Sequence, residues 1–173
     1  MNIYIACGLT HVPRQHFSSY TKFIHQLAAD LKGAEPNFRD IKYALQDSDP
    51  KLAERSPGEQ ARLCYIWDRK MVEDADLVVA EASFPSIGLG IEIQLAENKD
   101  TPIILCFRDY EGNKAEPISY ETIDHKHHDL QIGEGYITLM ALGVPSVYQV
   151  IQYDDCESGL KQIGTAVDIL SRI

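Results

Sequence analysis

The chain has 173 residues, 45% of them hydrophobic, and a formal net charge of −10, enough for one well-buried domain and short for two. The acidic balance argues against a nucleic-acid polymer as partner, yet leaves open a mononucleotide, whose phosphate backbone N–H groups and hydroxyls can hold. No apolar run approaches the roughly 20 residues of a membrane span, and the opening MNIYIACG lacks the basic region of a signal peptide, so a cytoplasmic protein is expected.

In chain order, residues 2–7 (NIYIAC) form a β-like run that ends at Gly8. Phe17, Tyr20, Ile24, Leu27 and Leu31 then recur at helical spacing, with Gly33 as a stop. Residues 41–45 (IKYAL) read as a second strand. Ser56-Pro57-Gly58-Glu59 is a capping box with proline at the first helical position, and it opens a helix to about Asp74 with Leu63, Trp67 and Met71 on one face. A buried strand (76–82), a helix (91–98) and another buried strand (102–107) follow. Residues 146–151 read as a last strand, and Leu160, Ile163, Val167 and Leu170 mark a closing helix.

Alternating strands and helices imply a single α/β domain over 1–173: a mostly parallel five-stranded sheet with helices on both faces, Rossmann- or flavodoxin-like. Ligands of such sheets sit outside the carboxyl ends of the strands, where IYIACG and AEASFPSIGLGIE both terminate. Residues 108–135 are polar and read as a variable loop, lid or short helix. Their run His125-Lys126-His127-His128-Asp129 has no cysteine and no established ligand spacing, so neither a metal nor a cofactor is expected. Cys7, Cys64, Cys106 and Cys156 form no CxxC pair and read as reduced thiols.

The stretch PSIGLGIE carries the chemistry. Gly88 and Gly90 let a ligand approach closely, and the helix start beyond them offers free N–H groups to an anion. Glu92 alone reads as an acid favoured by the helix dipole, Asp68 as a surface acid, Tyr4 as core and Ser86 as a helix cap. The glycine spacing matches neither GxGxxG nor GxxxxGK, and there is no GxSxG elbow.

Taken together, Ile3-Tyr4 with Gly8, Asp68, DADLVVAE, PSIGLGIEIQLA and ITLMALGV resemble the nucleoside 2-deoxyribosyltransferase family, which includes the 2′-deoxynucleoside 5′-phosphate N-hydrolases. The resemblance covers most of the chain. It implies that Glu92 is a nucleophile attacking the anomeric carbon, that Asp68 contacts the base and assists its departure, and that Tyr4 orients Glu92. Gly8, Leu9, Ser86, Gly88, Gly90 and Thr138 would bind substrate. The transferases acting on free nucleosides carry an aspartate and an asparagine where this chain has Ser86 and Thr138, and two hydroxyls suit a phosphate. By the resemblance the substrate is a (2′-deoxy)nucleoside 5′-monophosphate, and Thr138 serves a neighbouring subunit, implying a homo-oligomer of two or more copies. The chain departs from the hydrolases at Leu9-Thr10-His11 and in the longer 108–135 segment. A base-exchanging deoxyribosyltransferase and a non-catalytic nucleotide sensor are the other readings.

Overall fold

Alternation of apolar side chains along the strands builds a sheet buried on both faces, with helices covering each. The computed structural model describes residues 1–34, 40–48 and 51–172. Its elements are β1 (Asn2–Cys7), α1 (Arg14–Ala34), β2 (Asp40–Tyr43), α2 (Ala44–Asp47), a 3-10 turn (Leu52–Glu54), α3 (Pro57–Glu73), β3 (Leu77–Glu81) and α4 (Ile87–Glu97). There follow β4 (Ile103–Arg108), β5 (Ser119–Glu121), β6 (His127–Asp129), α5 (Leu139–Leu142), β7 (Val147–Tyr153) and α6 (Cys156–Ser171).

The main sheet has five strands in the order β2-β1-β3-β4-β7, and every pairing is parallel. Successive residues of a strand point to opposite faces. Ile3 and Ile5 therefore join Leu77 and Val79 in a core under α1 and α6, while Tyr4 and Ala6 join Val78 and Ala80 in a second core under α3 and α4. The strand order reverses direction between β1 and β3, which puts a crevice outside their carboxyl ends. Among the described residues no helix is long and apolar enough to cross a membrane.

Four local readings change. The strand expected over 41–45 ends at Tyr43, and Ala44 and Leu45 open α2. The helix expected over 91–98 begins at Ile87, because the Ser86 hydroxyl caps it by accepting from the Leu89 N–H at 3.2 Å. Gly88 and Gly90 thus lie inside its first turn rather than in a turn before it. Gly33 does not stop α1, which runs to Ala34. The histidine run of the 108–135 segment forms no short helix. The segment holds an exposed antiparallel hairpin, β5 with β6, whose turn is pinned by a hydrogen bond between His125 Nδ1 and Glu121 Oε1 at 2.5 Å.

Candidate active site

Leu89, Glu92, Ile93 and Ala96 are the buried residues of α4, spaced i, i+3, i+4, i+7. Glu92 therefore occupies a place in an apolar stripe, and only 7% of it is exposed. It is the sixth residue of the helix, beyond the free N–H groups of the first turn, so its placement reflects the stripe and not the dipole. Its partner comes from β1: the Tyr4 hydroxyl, itself buried, donates to Glu92 Oε1 at 2.6 Å. Burial pushes the Glu92 carboxyl up from 4.5 to about 7; the Tyr4 hydrogen bond works against this rise and the nearby Asp68 charge adds to it. Burial and the Glu92 charge likewise hold the Tyr4 hydroxyl well above its ordinary range, so it remains a donor.

Asp68 projects from α3 toward the same place. Its charge is felt by Glu92 and by Tyr4, and burial raises its own carboxyl above the usual carboxylate range. Oδ2 accepts from the Cys64 thiol one helical turn earlier, at 3.3 Å, whereas Oδ1 is buried with no hydrogen-bond partner. A buried acceptor left open costs free energy unless something fills it. Cys64 was missed in the sequence. Its position four residues before Asp68, on the same helix face, was the available signal. Partial burial and its contact with Asp68 push the Cys64 thiol up to about 11.

The glycines divide into two kinds. A Cβ on Gly8 would stand 2.8 Å from Ser86 Cβ and 3.1 Å from the Phe84 carbonyl, so Gly8 lets the loop after β1 lie against the loop after β3. Gly90 has nothing within 4 Å of such an atom, and Gly88 meets the Ser86 hydroxyl only at 3.6 Å. Glycine inside a helix is about 1 kcal/mol worse than alanine. With no steric need for them here, open space on the helix surface is what these two residues provide.

Leu9 packs its side chain against the core under α1, and its carbonyl accepts from the Val12 N–H at 3.4 Å. Thr138 is exposed at the head of α5, where its hydroxyl accepts from the Ala141 N–H at 3.4 Å. It is not brought to Glu92; with Phe84 and Pro85 it lines a neighbouring cavity of about 620 Å³ that Tyr4, Asp68 and Glu92 do not touch. Among the described residues no cluster of three or more His, Cys, Asp or Glu is placed to hold a metal ion.

No protein-family profile matches the chain. Two curated proteins, both provisionally named 2′-deoxynucleoside 5′-phosphate N-hydrolase 1, share stretches with it. The one from Syntrophotalea carbinolica is 46% identical over 43 residues, 25% of this chain and 30% of that protein. The one from Thermofilum pendens is 28% identical over 90 residues, 45% of this chain and 63% of that protein. The matched region thus spans less than two thirds of either relative. Among solved structures, the CMP N-glycosidase of Clostridium botulinum superposes with a TM-score of 0.55 at 19% identity, over 96% of this chain and 99% of the other. A conserved protein from Enterococcus faecalis V583 gives 0.57 at 16% identity, over 95% and 98%. The structural matches show the fold, and the sequence matches support a nucleoside 2-deoxyribosyltransferase-like family.

Proposed function

We propose that the protein is an N-glycosidase that hydrolyses the base–sugar bond of (2′-deoxy)nucleoside 5′-monophosphates through a covalent ester on Glu92. The observation that carries this reading is the buried Tyr4–Glu92 pair set beside an Asp68 carboxyl with one open oxygen. In the first step a Glu92 oxygen bonds to C1′ while the C1′–N bond breaks, and the base leaves with a proton from Asp68. Water then attacks C1′, giving its proton to Asp68, and the ester opens to release the sugar phosphate and a free Glu92 carboxylate. The elevated Asp68 carboxyl supports its part as proton donor, and Tyr4 keeps one lone pair of Glu92 occupied while the other oxygen stays open. Ser86 and the first-turn N–H groups of α4 favour a phosphate, and the space over Gly88 and Gly90 favours the sugar. The names of the partial relatives and of the structural neighbour agree with this substrate class.

Exposed Ile87 and Ile91 on α4, with Leu139 and Met140 on α5, support a second copy of the chain covering this side, where Thr138 also lies. The test is release of free base from a panel of nucleotides and nucleosides, with wild type and Glu92→Ala. Base release from monophosphates, lost in the variant, and a Glu92 peptide carrying the sugar-phosphate mass on rapid quench are expected. Wild-type turnover by Glu92→Ala refutes the mechanism. Formation of a new nucleoside from an added foreign base makes the protein a transferase.

A further inference from the structure

Base release as proposed takes place at Tyr4, Asp68 and Glu92, and of the residues lining the neighbouring cavity of about 620 Å³ it gives a task only to Thr138. That volume lies in the range of pockets that hold drug-sized ligands. Its position is informative. One wall is Phe84–Pro85, immediately ahead of Ser86, and another includes His11, in the loop that follows Gly8. Gly8 and Ser86 lie in direct contact. The cavity therefore lies against the loop that leads into Ser86, where the 5′-phosphate would be held, and Glu92 is not among its lining residues.

Its walls lack the acidic excess of the whole chain, where 26 acidic residues face 16 basic ones: among the described residues lining it Lys114 is matched by Glu111, with the imidazoles of His11 and His16 beside them. Beside these groups are flat faces. The Phe84 and Tyr110 rings lie 4.8 Å apart, His16 meets Tyr110 edge-on at 5.2 Å, and the Lys114 ammonium sits 5.2 Å from the centre of the Tyr136 ring. The far wall is held rather than loose. Asn113 donates to the carbonyls of Ser83 and Arg108, each at 2.8 Å, and accepts from the Tyr110 N–H at 2.8 Å. This ties the segment after β4 to the loop that leads into Ser86, so the cavity is formed before any ligand arrives.

We propose that the site accepts nucleotides extended at the 5′ end. The second phosphate of a nucleoside 5′-diphosphate enters between His11, His16 and Lys114, and a further group esterified to it lies against the partly exposed Tyr136 ring. This rests on the N-glycosidase reading. The bonds made and broken are unchanged: C1′–N breaks at Glu92, water resolves the ester, and the diphosphate passes through intact. A monophosphate fills the site and leaves the cavity empty, so each added group contributes binding that the shorter substrate lacks.

The experiment measures free base from the 5′-monophosphate, the 5′-diphosphate and the P1,P2-dinucleoside diphosphate of each common deoxynucleoside. One charge-assisted contact is worth about tenfold in affinity or more, so kcat/KM is expected to be higher by about that factor for the diphosphate than for the monophosphate. The dinucleoside diphosphate is expected to match or exceed the monophosphate. Lys114 is exposed, so Lys114→Glu tests the contact without disturbing the core. It should lower the diphosphate value about tenfold more than the monophosphate value. Base release from monophosphates with equal or poorer use of the extended nucleotides overturns this inference and leaves the N-glycosidase standing. A mono-to-diphosphate ratio unmoved by Lys114→Glu overturns the placement of the second phosphate. Absence of base release from every nucleotide sinks both readings together.

Discussion

Glu92→Gln removes one buried charge while keeping shape and an oxygen that can still accept from Tyr4, so it isolates what that charge does to the fold. Folding raises this carboxyl from 4.5 to about 7. Between those values the native state holds a proton that the unfolded chain has lost, so stability falls as pH rises, by about 1.4 kcal/mol per pH unit. Below the lower value both states are protonated and Glu92 adds no pH dependence. Above the upper one both are ionised, and the native state carries the full penalty of about 3 kcal/mol. Urea unfolding of wild type and Glu92→Gln at pH 5, 6, 7 and 8 reads this directly. The variant should gain on wild type by about 1 kcal/mol at pH 5 and about 3 kcal/mol at pH 8. Asp68 and the buried Glu81, both also raised by burial, titrate in both proteins and largely cancel in the difference. The same variant should release no base. Parallel stability curves over this pH range would show that Glu92 is not held as a destabilised carboxylate, and the account of the nucleophile would go with it.

Gly8→Ala forces a methyl to within 2.8 Å of Ser86 Cβ, so a lower urea midpoint, by about 1–3 kcal/mol, and impaired base release are expected; an unchanged midpoint contradicts the close loop contact. Gly88→Ala, one helical turn before Glu92 and with only the Ser86 hydroxyl at 3.6 Å from the new methyl, should do the opposite to stability, adding up to about 1 kcal/mol to α4 while lowering kcat/KM, since the methyl occupies proposed substrate space. If both stability and activity rise, the glycine is not there for the ligand. Burial, together with the Asp68 contact and charge, holds the Cys64 thiol up at about 11; Asp68→Asn removes the charge, so Cys64 should be alkylated faster by iodoacetamide at pH 8, as read by peptide mass spectrometry. Equal alkylation rates would mean that the two side chains do not meet in solution.

Where apolar residues are continuous, the sequence was readable, because a strand buried on both faces needs a run such as LVVA or IILC whatever surrounds it. The start of α3 was equally plain: Glu59 accepts from the Ser56 N–H at 3.3 Å and from its hydroxyl at 2.6 Å, a purely local arrangement. The start of α4 was misplaced for a physical reason. Two glycines argue against a helix when propensity is considered alone, but the Ser86 cap and the burial of Leu89, Glu92, Ile93 and Ala96 outweigh them. That tertiary contribution is visible only once β1 and β3 are in place beneath the helix. The β5–β6 hairpin left no trace because all six of its residues are exposed, so no alternation of apolar and polar side chains marks it. Its register rests on polar contacts such as Ser119 to Asp129 at 2.5 Å. As for the site, the pairing of Tyr4 with Glu92 follows from a resemblance of motifs. The open Asp68 oxygen and the Cys64 contact depend on how α3 is rotated against the sheet, which no local pattern records.

Glu81 shows why a buried carboxyl by itself does not identify a reactive one. It lies at the end of β3, fully buried, within a strand where a glutamate is out of place, and that anomaly in DLVVAEA was a signal left unread. Burial raises it as burial raises Glu92. The difference is in the donors. The Ser83 hydroxyl and the Tyr153 hydroxyl, the latter at 2.9 Å, both donate to Glu81 Oε1, and the Ser83 N–H reaches Oε2 at 3.3 Å. Ser83 in turn accepts from the Arg108 N–H at 2.8 Å, and Tyr153 stacks on Phe23, so every group around Glu81 is committed to holding the sheet and its loops. Such a carboxyl has no oxygen to offer a substrate and no path to one. Glu92 has one donor, a small exposed edge and a second acid beside it. On opposite faces of the same sheet, the two glutamates thus differ in their partners: Glu81 braces the loop that leads to Ser86, and Glu92 accepts from Tyr4 on one oxygen while the other is left for the proposed chemistry.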